Sequence, residues 1–437
     1  MPLPTATEPL APPRLAHREQ DAVHPASVMK LFTTYAGLQL LGPDFTWRNR
    51  IYTDGPVQAG VLQGNLIVRG SGDPKLVIER LQDLIGQIMA QGVREVRGNI
   101  VLDRSVFEVT TRSAPFDDEP LRPYNVSPDG LLLNFKSVIY TLTPDTANGR
   151  ALVRSEPPLA GLAVTADVPL RSGPCQDWRS ELKADFSQAL QTRFSGSYAS
   201  GCGERAWPVA YPQPEDYAPR VFQALWLQAG GKLTGQTVYG ATPAKATLLL
   251  EARSLPLAEV VADINKFSNN VMAQQLFLTL SSELGAPGRF EASRLRLEQW
   301  WRNQFPGLPA PVLDNGSGLS RSERSTARSL TALLQKARQS PQAQAFKDSL
   351  SVAGVDGTTA RLKDRLPNSP AIGKAWLKTG SLRDVASVAG YVQGESGRMY
   401  TLVAVLNHAN AQQARPALDA LLEWTVRDNG PAATSKK

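Results

Sequence analysis

The sequence of 437 residues has few of the residues that bind metal ions. It contains two cysteines and three histidines, and neither Cys-x-x-Cys nor His-Glu-x-x-His occurs. A zinc hydrolase needs three or four such ligands at suitable spacing, so this class is disfavoured. Gly-x-Ser-x-Gly, the nucleophile motif of α/β-hydrolases, is absent as well. These absences predict no metal site and argue against two large classes of hydrolase.

Long hydrophobic runs and blocks of like charge are also missing. No apolar stretch approaches the roughly 18–20 residues that cross a bilayer, so we predict no membrane span. The net charge is +7, from 47 basic and 40 acidic residues, and the basic residues are scattered along the chain. This pattern predicts a solvated surface, weakly attracted to anionic material, and no nucleic-acid partner.

The two cysteines, Cys175 and Cys202, admit two interpretations. Paired, they close a loop of about 28 residues, which the chain-entropy model values at roughly 3–4 kcal/mol. A disulfide would also indicate an oxidising compartment. Unpaired, they are two free thiols. We predict the disulfide.

Three short strings carry the chemical information: Ser27-Val-Met-Lys30, Ser268-Asn-Asn270 and Lys378-Thr-Gly380. Ser-x-x-Lys occurs a second time, from Ser180 to Lys183, so that pattern alone decides nothing. Ser-x-Asn and Lys-Thr/Ser-Gly each occur once. The order of the three strings favours one shared active site over three unrelated coincidences.

The first string predicts a nucleophile and its base. Ser27 and Lys30 are three residues apart at the start of a predicted helix, so both face one side. Removing the serine proton needs a neutral amine, which requires a lysine pKa lowered by burial or by a neighbouring cation such as Lys378. The N–H of Ser27 is a candidate oxyanion donor. The structural alternatives are an N-cap serine and a snorkelling lysine.

The second string predicts polar groups around the reacting atoms. Ser268 would relay a proton toward the leaving amine, and the amide of Asn270 would orient Lys30 or the substrate backbone. The structural alternative for this string is a loop or a helix cap.

The third string predicts a strand edge that binds substrate. Lys378 and Thr379 offer a cation and a hydroxyl to a carboxylate, and Gly380 allows close approach of a peptide backbone. The N–H of Ser381 would be the second oxyanion donor, with the peptide laid along the edge as an added strand. The structural alternative is a plain turn.

The chain as a whole is long enough for two or three domains. A helix is predicted over Val28–Leu41, followed by a middle portion of short strands and helices. A further helical stretch is predicted at Leu257–Leu284. Near the end of the chain, three predicted strands would form an antiparallel meander: Ala375–Gly380, Val385–Gln393 and Arg398–Asn407.

With these strings the chain resembles the low-molecular-mass, class C penicillin-binding proteins, the D-alanyl-D-alanine carboxypeptidase/endopeptidase family. The interval of about 240 residues between Ser27 and Ser268 is similar to the large insertion of this family. Further family-like strings lie at four places: Arg69–Pro74, Asp314–Arg321, Gly354–Thr358 and Ala389–Tyr391.

The resemblance implies an α+β multidomain fold. A β-lactamase/transpeptidase-like antiparallel sheet flanked by helices would carry a large inserted mixed α/β region. Residues 1–48 and 254–437 would form the penicillin-binding domain. Residues 49–150 and 212–253 would form inserted domain II, and residues 151–211 a nested inserted domain III.

The resemblance also implies a function. The protein would cleave D-Ala-D-Ala and D-Ala-linked cross-bridges in peptidoglycan through an acyl-enzyme on Ser27, without metal or cofactor. Its partners would be peptidoglycan peptide stems and, as covalent inhibitors, β-lactam antibiotics; a homo-oligomer is left open. The expected location is periplasmic or extracytoplasmic. The alternatives are a non-catalytic peptidoglycan- or penicillin-binding protein, and a β-lactamase or esterase on the same scaffold.

The family pattern adds three candidate substrate contacts and two departures. Arg321 would contact the substrate, and Asp117 and Asp118 would contact the amino end of the peptide's third residue, a solvated loop being the alternative for that pair. The family often has Asn where this chain has His24. The first 13 residues hold five prolines and no signal-peptide pattern, and only 26 residues precede Ser27, which leaves little room for the family's leading sheet strands.

Overall fold

A computed structural model describes residues 12–108 and 115–428 of the chain. The chain divides into two compact units. Unit 1 takes in the residues up to Thr46 and from Leu255 onward, and unit 2 is Trp47–Ser254. The sequence predicts the penicillin-binding domain to be interrupted between residues 48 and 254, and that assignment of domains stays a prediction.

The described residues form eleven α-helices: α1 (Lys30–Leu41), α2 (Ile78–Ala90), α3 (Trp178–Glu181), α4 (Pro214–Gln228), α5 (Leu257–Phe267), α6 (Asn270–Ser282), α7 (Phe290–Gln304), α8 (Ala327–Gln339), α9 (Ala343–Asp348), α10 (Leu362–Arg365) and α11 (Arg415–Val426).

The strands of unit 2, within the same described ranges, are β1 (Arg48–Thr53), β2 (Val57–Gln58), β3 (Val61–Leu62), β4 (Leu66–Arg69), β5 (Glu95–Val96), β6 (Ile100–Asp103), β7 (Ser137–Asp145), β8 (Arg150–Glu156), β9 (Ala163–Val164), β10 (Asp167–Arg171), β11 (Ala184–Gln188), β12 (Gln191–Phe194), β13 (Tyr198–Ala199), β14 (Arg205–Ala210), β15 (Lys232–Leu233), β16 (Thr237–Tyr239) and β17 (Thr247–Arg253). Those of unit 1 are β18 (Ser351–Val352), β19 (Ala375–Leu382), β20 (Val385–Gln393) and β21 (Met399–Asn407).

Unit 1 is built on the antiparallel sheet β18-β19-β20-β21. The predicted meander is present, and its register pairs Lys378 with Ala389 and Gly380 with Ser387. Strand β20 is buried along nearly its whole length, as its run of valine, alanine and glycine predicts for a central strand.

Helix α1 is the central helix of unit 1. The sequence predicts one apolar nearly all round, and its first nine residues are buried. Gly37 lets helix α6 come close, because a Cβ at this position would lie 3.1 Å from the methyl carbons of Leu276. A 3-10 turn, Ala26–Met29, precedes the helix and carries Ser27. The helix predicted from Val28 therefore begins as α-helix two residues later.

The helical stretch predicted at Leu257–Leu284 is two helices, α5 and α6. Ser268 ends α5 in the left-handed region, with a φ of 57°. Asn269 then caps α6 by accepting a hydrogen bond from the N–H of Met272 at 3.1 Å. The second motif, Ser268–Asn270, therefore lies at the junction of α5 and α6 and not inside one continuous helix.

The described strands of unit 2 form four sheets. In one, β4, β6 and β16 run parallel, and the amphipathic helices α2 and α4 bury their apolar faces in the core of the unit. Strands from Ser137–Ala210 pair only among themselves in the described residues. Cys175 and Cys202, within that stretch, are joined by a disulfide. The division into domains II and III stays a prediction.

None of the helices in the described ranges is long and apolar enough to cross a membrane.

Candidate active site

Ser27 lies in a turn whose backbone is held in an unusual conformation. Ala26, just before it, has a φ of 47°, a left-handed conformation uncommon for a residue with a side chain. The N–H of Ala26 donates to Nδ1 of His24 at 2.9 Å, and Nε2 of His24 lies 2.5 Å from the carbonyl of Ser320. The network therefore places the ring hydrogen on Nε2. Burial lowers the pKa of His24, which favours the same neutral form.

Lys30, the first residue of α1, is completely buried and hydrogen-bonded at its amine. Its Nζ donates to Ser27 Oγ at 3.0 Å, to Asn270 Oδ1 at 2.6 Å and to the carbonyl of Ser317 at 2.5 Å. Burial is the main cause that lowers the pKa of Lys30 well below its usual value, and the charge of Lys378 lowers it further. The structure thus gives Ser27 a neighbour whose amine loses its charge at a pH well below the usual lysine range and can then accept the serine proton.

Lys378 and Ser268 form a second pair. The Nζ of Lys378 donates to Ser268 Oγ at 2.9 Å and to the carbonyl of Thr379 at 2.7 Å. Burial lowers the pKa of Lys378 to about 7. A hydroxyl that contacts an amine titrating in this range can pass a proton in either direction.

Strand β19 passes close to the Ser27 turn at Gly380. A Cβ on Gly380 would lie 2.3 Å from Ser387 Oγ, 2.7 Å from the carbonyl of Pro25 and 3.0 Å from the N of Ser27. No other residue type fits there without displacing the turn. The glycine predicted for close approach of a substrate backbone is thus required by the protein's own backbone.

The outer edge of β19 is open beside this turn. β18 pairs only with Trp376 and Leu377, so in the described part of the chain no strand covers the edge of Lys378–Leu382 opposite β20. Thr379 Oγ1 contacts Thr358 Oγ1 at 2.8 Å. An extended peptide laid along this edge would bring its carbonyl group to Ser27.

The structure therefore brings the three predicted motifs into one cluster of unit 1. Ser27 and Lys30 contact the second motif through Asn270, and Lys378 contacts it through Ser268. The arrangement supplies a nucleophile, a neutral amine beside it and a second amine–hydroxyl pair. These are the parts that acyl transfer through a serine needs.

Three polar residues of this region were not among the candidates predicted from the sequence. His24 supports the turn before Ser27, as described above. Glu323 is completely buried among the backbone N–H groups of the glycine-rich loop Asp314–Arg321. Arg415 of α11 donates to Ser381 Oγ at 2.8 Å and lines a cavity with Thr379 and Ser381. None of the three belongs to a sequence motif that would indicate a role in the site. Glu323 lies in a serine-rich stretch typical of a solvated loop.

The remaining candidates lie elsewhere. Arg321 is exposed at the end of the glycine-rich loop, 3.4 Å from Asp384 Oδ1. Asp117 and Asp118 are exposed in a one-turn 3-10 helix of unit 2, both with positive φ. Their roles as substrate contacts stay predictions.

The second Ser-x-x-Lys belongs to a helix cap. Ser180 donates from its hydroxyl to Asp177 Oδ2 at 2.7 Å, and Lys183 is exposed. Within the described residues, no group of three or more His, Cys, Asp or Glu side chains is placed to bind a metal ion.

Comparisons with known proteins agree over nearly the whole chain. A family model described as the D-Ala-D-Ala carboxypeptidase 3 (S13) family matches residues 12–427. The sequence is 26% identical over 401 residues to D-alanyl-D-alanine carboxypeptidase DacB of Haemophilus influenzae, which covers 87% of this chain and 80% of that protein. It is 29% identical over 406 residues to a D-alanyl-D-alanine carboxypeptidase of an Actinomadura species, covering 86% of this chain and 72% of that protein.

Solved structures show the same fold. The crystal structure of penicillin binding protein 4 from Haemophilus influenzae superimposes with a TM-score of 0.75 at 22% identity, and the match covers 93% of each chain. A predatory endopeptidase from Bdellovibrio bacteriovorus, in complex with an immunity protein, gives a TM-score of 0.54 at 17% identity, over 94% of this chain and 88% of that one. These likenesses confirm the predicted fold class.

Proposed function

The chain belongs to the D-Ala-D-Ala carboxypeptidase 3 (S13) family, and from that premise we propose that it is a serine D,D-peptidase acting on peptidoglycan through an acyl-enzyme on Ser27. It would release the terminal D-Ala of peptide stems as a carboxypeptidase and open D-Ala-linked cross-bridges as an endopeptidase. The observation that carries the proposal is the buried Lys30 amine, 3.0 Å from Ser27 Oγ, with a lowered pKa.

The geometry supports an acylation step in which each proton has a donor and an acceptor. The Ser27 hydroxyl gives its proton to Lys30 Nζ as Oγ bonds to the carbonyl carbon of the penultimate D-Ala. The carbonyl oxygen becomes an oxyanion, held by the N–H groups of Ser27 and Ser381. When the C–N bond breaks, the Ser268 hydroxyl donates a proton to the leaving amine and recovers one from Lys378.

Deacylation uses water as the nucleophile. Before it, Lys30 releases to solvent the proton it took from Ser27, and Lys378 regains one from solvent, so both amines return to their starting states. A water molecule then gives a proton to Lys30 as its oxygen attacks the ester carbon, and Lys30 returns that proton to Ser27 Oγ as the ester bond breaks. Asn270, which contacts Lys30 at 2.6 Å, keeps the amine directed at the reacting atoms through both steps. A β-lactam acylates Ser27 in the same way, and its ring-opened product stays attached.

Substrate binding would use the open edge of β19. The Thr379 hydroxyl and Arg415 lie along the cavity beside this edge and suit a terminal carboxylate. Arg321, Asp117 and Asp118 are proposed contacts to the rest of the peptide stem. The disulfide Cys175–Cys202 supports an extracytoplasmic location, because such bonds persist in oxidising compartments.

Covalent labelling tests the proposal. Fluorescent penicillin should label the parent protein, and peptide mapping should place the label on Ser27. Ser27→Ala should lose both the label and the release of D-Ala from muropeptides, whereas Ser180→Ala, which changes the serine of the second Ser-x-x-Lys, should retain both. Label at another residue, or none, would contradict the proposal.

The same experiments separate the alternatives. A non-catalytic peptidoglycan-binding protein would bind muropeptides after Ser27→Ala, and the parent would release no D-Ala. A β-lactamase or esterase would turn over penicillin rapidly instead of retaining the label.

A further inference from the structure

The first five residues of the glycine-rich loop, Asp314–Gly318, are organised around one buried carboxylate. Glu323 Oε1 accepts the backbone N–H groups of Asp314 at 3.0 Å, Asn315 at 3.1 Å and Gly316 at 2.8 Å. Its Oε2 accepts the N–H of Gly318 at 2.8 Å. Bonds to a charged acceptor are stronger than neutral ones, and the N–H groups of Asn315, Gly316 and Gly318 would otherwise be buried without a partner.

Two carbonyls of this segment point toward α1. The carbonyl of Gly316 accepts from Thr33 Oγ1 at 2.7 Å, and that of Ser317 accepts from Lys30 Nζ at 2.5 Å. The Ser317 carbonyl and the Gly318 N–H belong to one peptide group and point to its opposite sides, so the bond from Gly318 to Glu323 directs the carbonyl toward Lys30. Glu323 thus fixes one of the three acceptors that hold the Lys30 amine.

The same loop packs against the nucleophile turn. Gly318 has a φ of 83°, and a Cβ there would lie 2.0 Å from the carbonyl oxygen of Ala26 and 2.8 Å from Cα of Ser27. A shift of the loop would therefore disturb the backbone of Ser27 as well as the amine of Lys30.

We propose that Glu323 is a positioning residue for the acylation of Ser27: its carboxylate holds the Asp314–Gly318 loop in the form that presents the Ser317 carbonyl to Lys30, and its negative charge faces that lysine. The inference rests on the proposed function and adds a residue that acts through Lys30 without touching substrate.

The charges around Glu323 give the sign of its electrostatic effect. The negative charge of Glu323 raises the pKa of Lys30, opposing burial and the cation of Lys378, which both lower it. Burial and the nearby Asp314 raise the pKa of Glu323 itself, whereas its backbone N–H bonds lower it. Burial has the larger effect, so the pKa of Glu323 lies above its usual value, and the N–H groups bonded to both oxygens oppose that rise by stabilising the carboxylate.

Three variants separate geometry from charge. Glu323→Gln removes the charge and turns an amide NH₂ toward at least one loop N–H, whereas Glu323→Asp keeps the charge on a shorter side chain. Asp314→Asn is the matched control, because it removes one negative charge from the same loop without changing the bonds to Glu323. The readouts are the second-order rate of acylation by fluorescent penicillin across pH, and thermal unfolding.

We expect Glu323→Gln to acylate at least about tenfold more slowly, since small misplacements of catalytic groups have large effects. The acidic limb of its pH–rate profile should move to lower pH, because loss of the negative charge lowers the pKa of Lys30 and the neutral amine forms earlier. Glu323→Asp should acylate more slowly than the parent, with the acidic limb of its pH–rate profile at the parental pH. Asp314→Asn should stay within about twofold of the parent.

Other outcomes distinguish a positioning role of Glu323 from a purely structural one. A Glu323→Gln protein with a lower melting temperature but parental rate and pH limb would show a structural role alone. If Glu323→Gln does not fold, Glu323→Asp decides: a parental rate overturns the inference, and a slowed rate with an unmoved limb supports it. If the parent does not label at Ser27, the proposed function fails and this inference with it, whereas a labelled parent and an unaffected variant defeat this inference alone.

Discussion

Replacing Lys30 by methionine should abolish most of the acylation rate while leaving the fold intact. Methionine matches lysine in length up to Cε, with sulfur in place of one methylene, and lacks the amine. The lost function is that of a general base 3.0 Å from Ser27 Oγ. Such bases contribute about 10²–10⁴ in rate, or roughly 3–5 kcal/mol of transition-state stabilisation.

The stability change should be much smaller than the rate change. Asn270 Oδ1 and the carbonyl of Ser317 each lose one donor, at about 1–3 kcal/mol for a buried group. Against this, the variant no longer buries an amine whose charged form is disfavoured by desolvation. We expect a net change within about 2 kcal/mol, which for a unit of this size is a shift of roughly 4–8 °C in melting temperature.

Rapid-mixing measurements of acylation by fluorescent penicillin across pH test this reasoning. The parent rate should rise with pH as Lys30 loses its proton, at a pH well below the usual lysine range, and Lys30→Met should lack that rise. Lys183→Met, the matched change at the exposed lysine of the second Ser-x-x-Lys, should behave as the parent does. Acylation by Lys30→Met within tenfold of the parent rate would refute the assignment of the base.

Two further predictions concern the strand edge and the disulfide. Gly380→Ala should destabilise unit 1 by about 1–3 kcal/mol and slow acylation, because its Cβ would overlap Ser387 Oγ. The control Gly86→Ala lies at an open helical site of unit 2 and should be neutral or stabilising. Equal effects of the two substitutions in thermal unfolding would contradict this prediction. Replacing Cys175 and Cys202 by serine should lower the unfolding free energy of unit 2 by roughly 3–4 kcal/mol in urea titrations. Labelling of Ser27 by penicillin in the absence of denaturant should be unchanged. An unaltered urea titration would show that the disulfide adds no stability.

Much of this fold is encoded locally and is therefore predictable. The strands β19, β20 and β21 begin and end within two residues of their predicted limits, because runs of valine and alanine bounded by glycine and polar turns indicate strands directly. The same is true of α1, whose apolar residues occur on all sides. The ordered motifs likewise indicated which residues would share a site.

The unpredicted parts depend on contacts between distant segments. Glu323 looks like one more polar residue of a surface loop until the fold surrounds it with four N–H groups, and His24 becomes a hydrogen-bonding partner only when Ser320 reaches it. The break between α5 and α6 at Ser268 could not be predicted from the sequence either. Its neighbours continue a helical pattern, and the left-handed turn is stabilised by the cap at Asn269.

The interruption of unit 1 by unit 2 has a consequence for the order of folding. Ser27 and α1 are synthesised before residues 47–254, whereas the sheet that contacts the Ser27 turn and the helix α6 that packs on α1 come after them. The two ends of unit 2 lie side by side, because Trp47 and Ser254 exchange hydrogen bonds and β1 pairs with β17.

A unit 2 that folds first would therefore act as a short link. Joining two segments across an unstructured connection of this length costs about 5 kcal/mol of chain entropy, and a folded unit with adjacent ends removes most of that cost. The nucleophile is made early and its site is completed late, so assembly of the catalytic cluster depends on a unit that contains none of the three motifs.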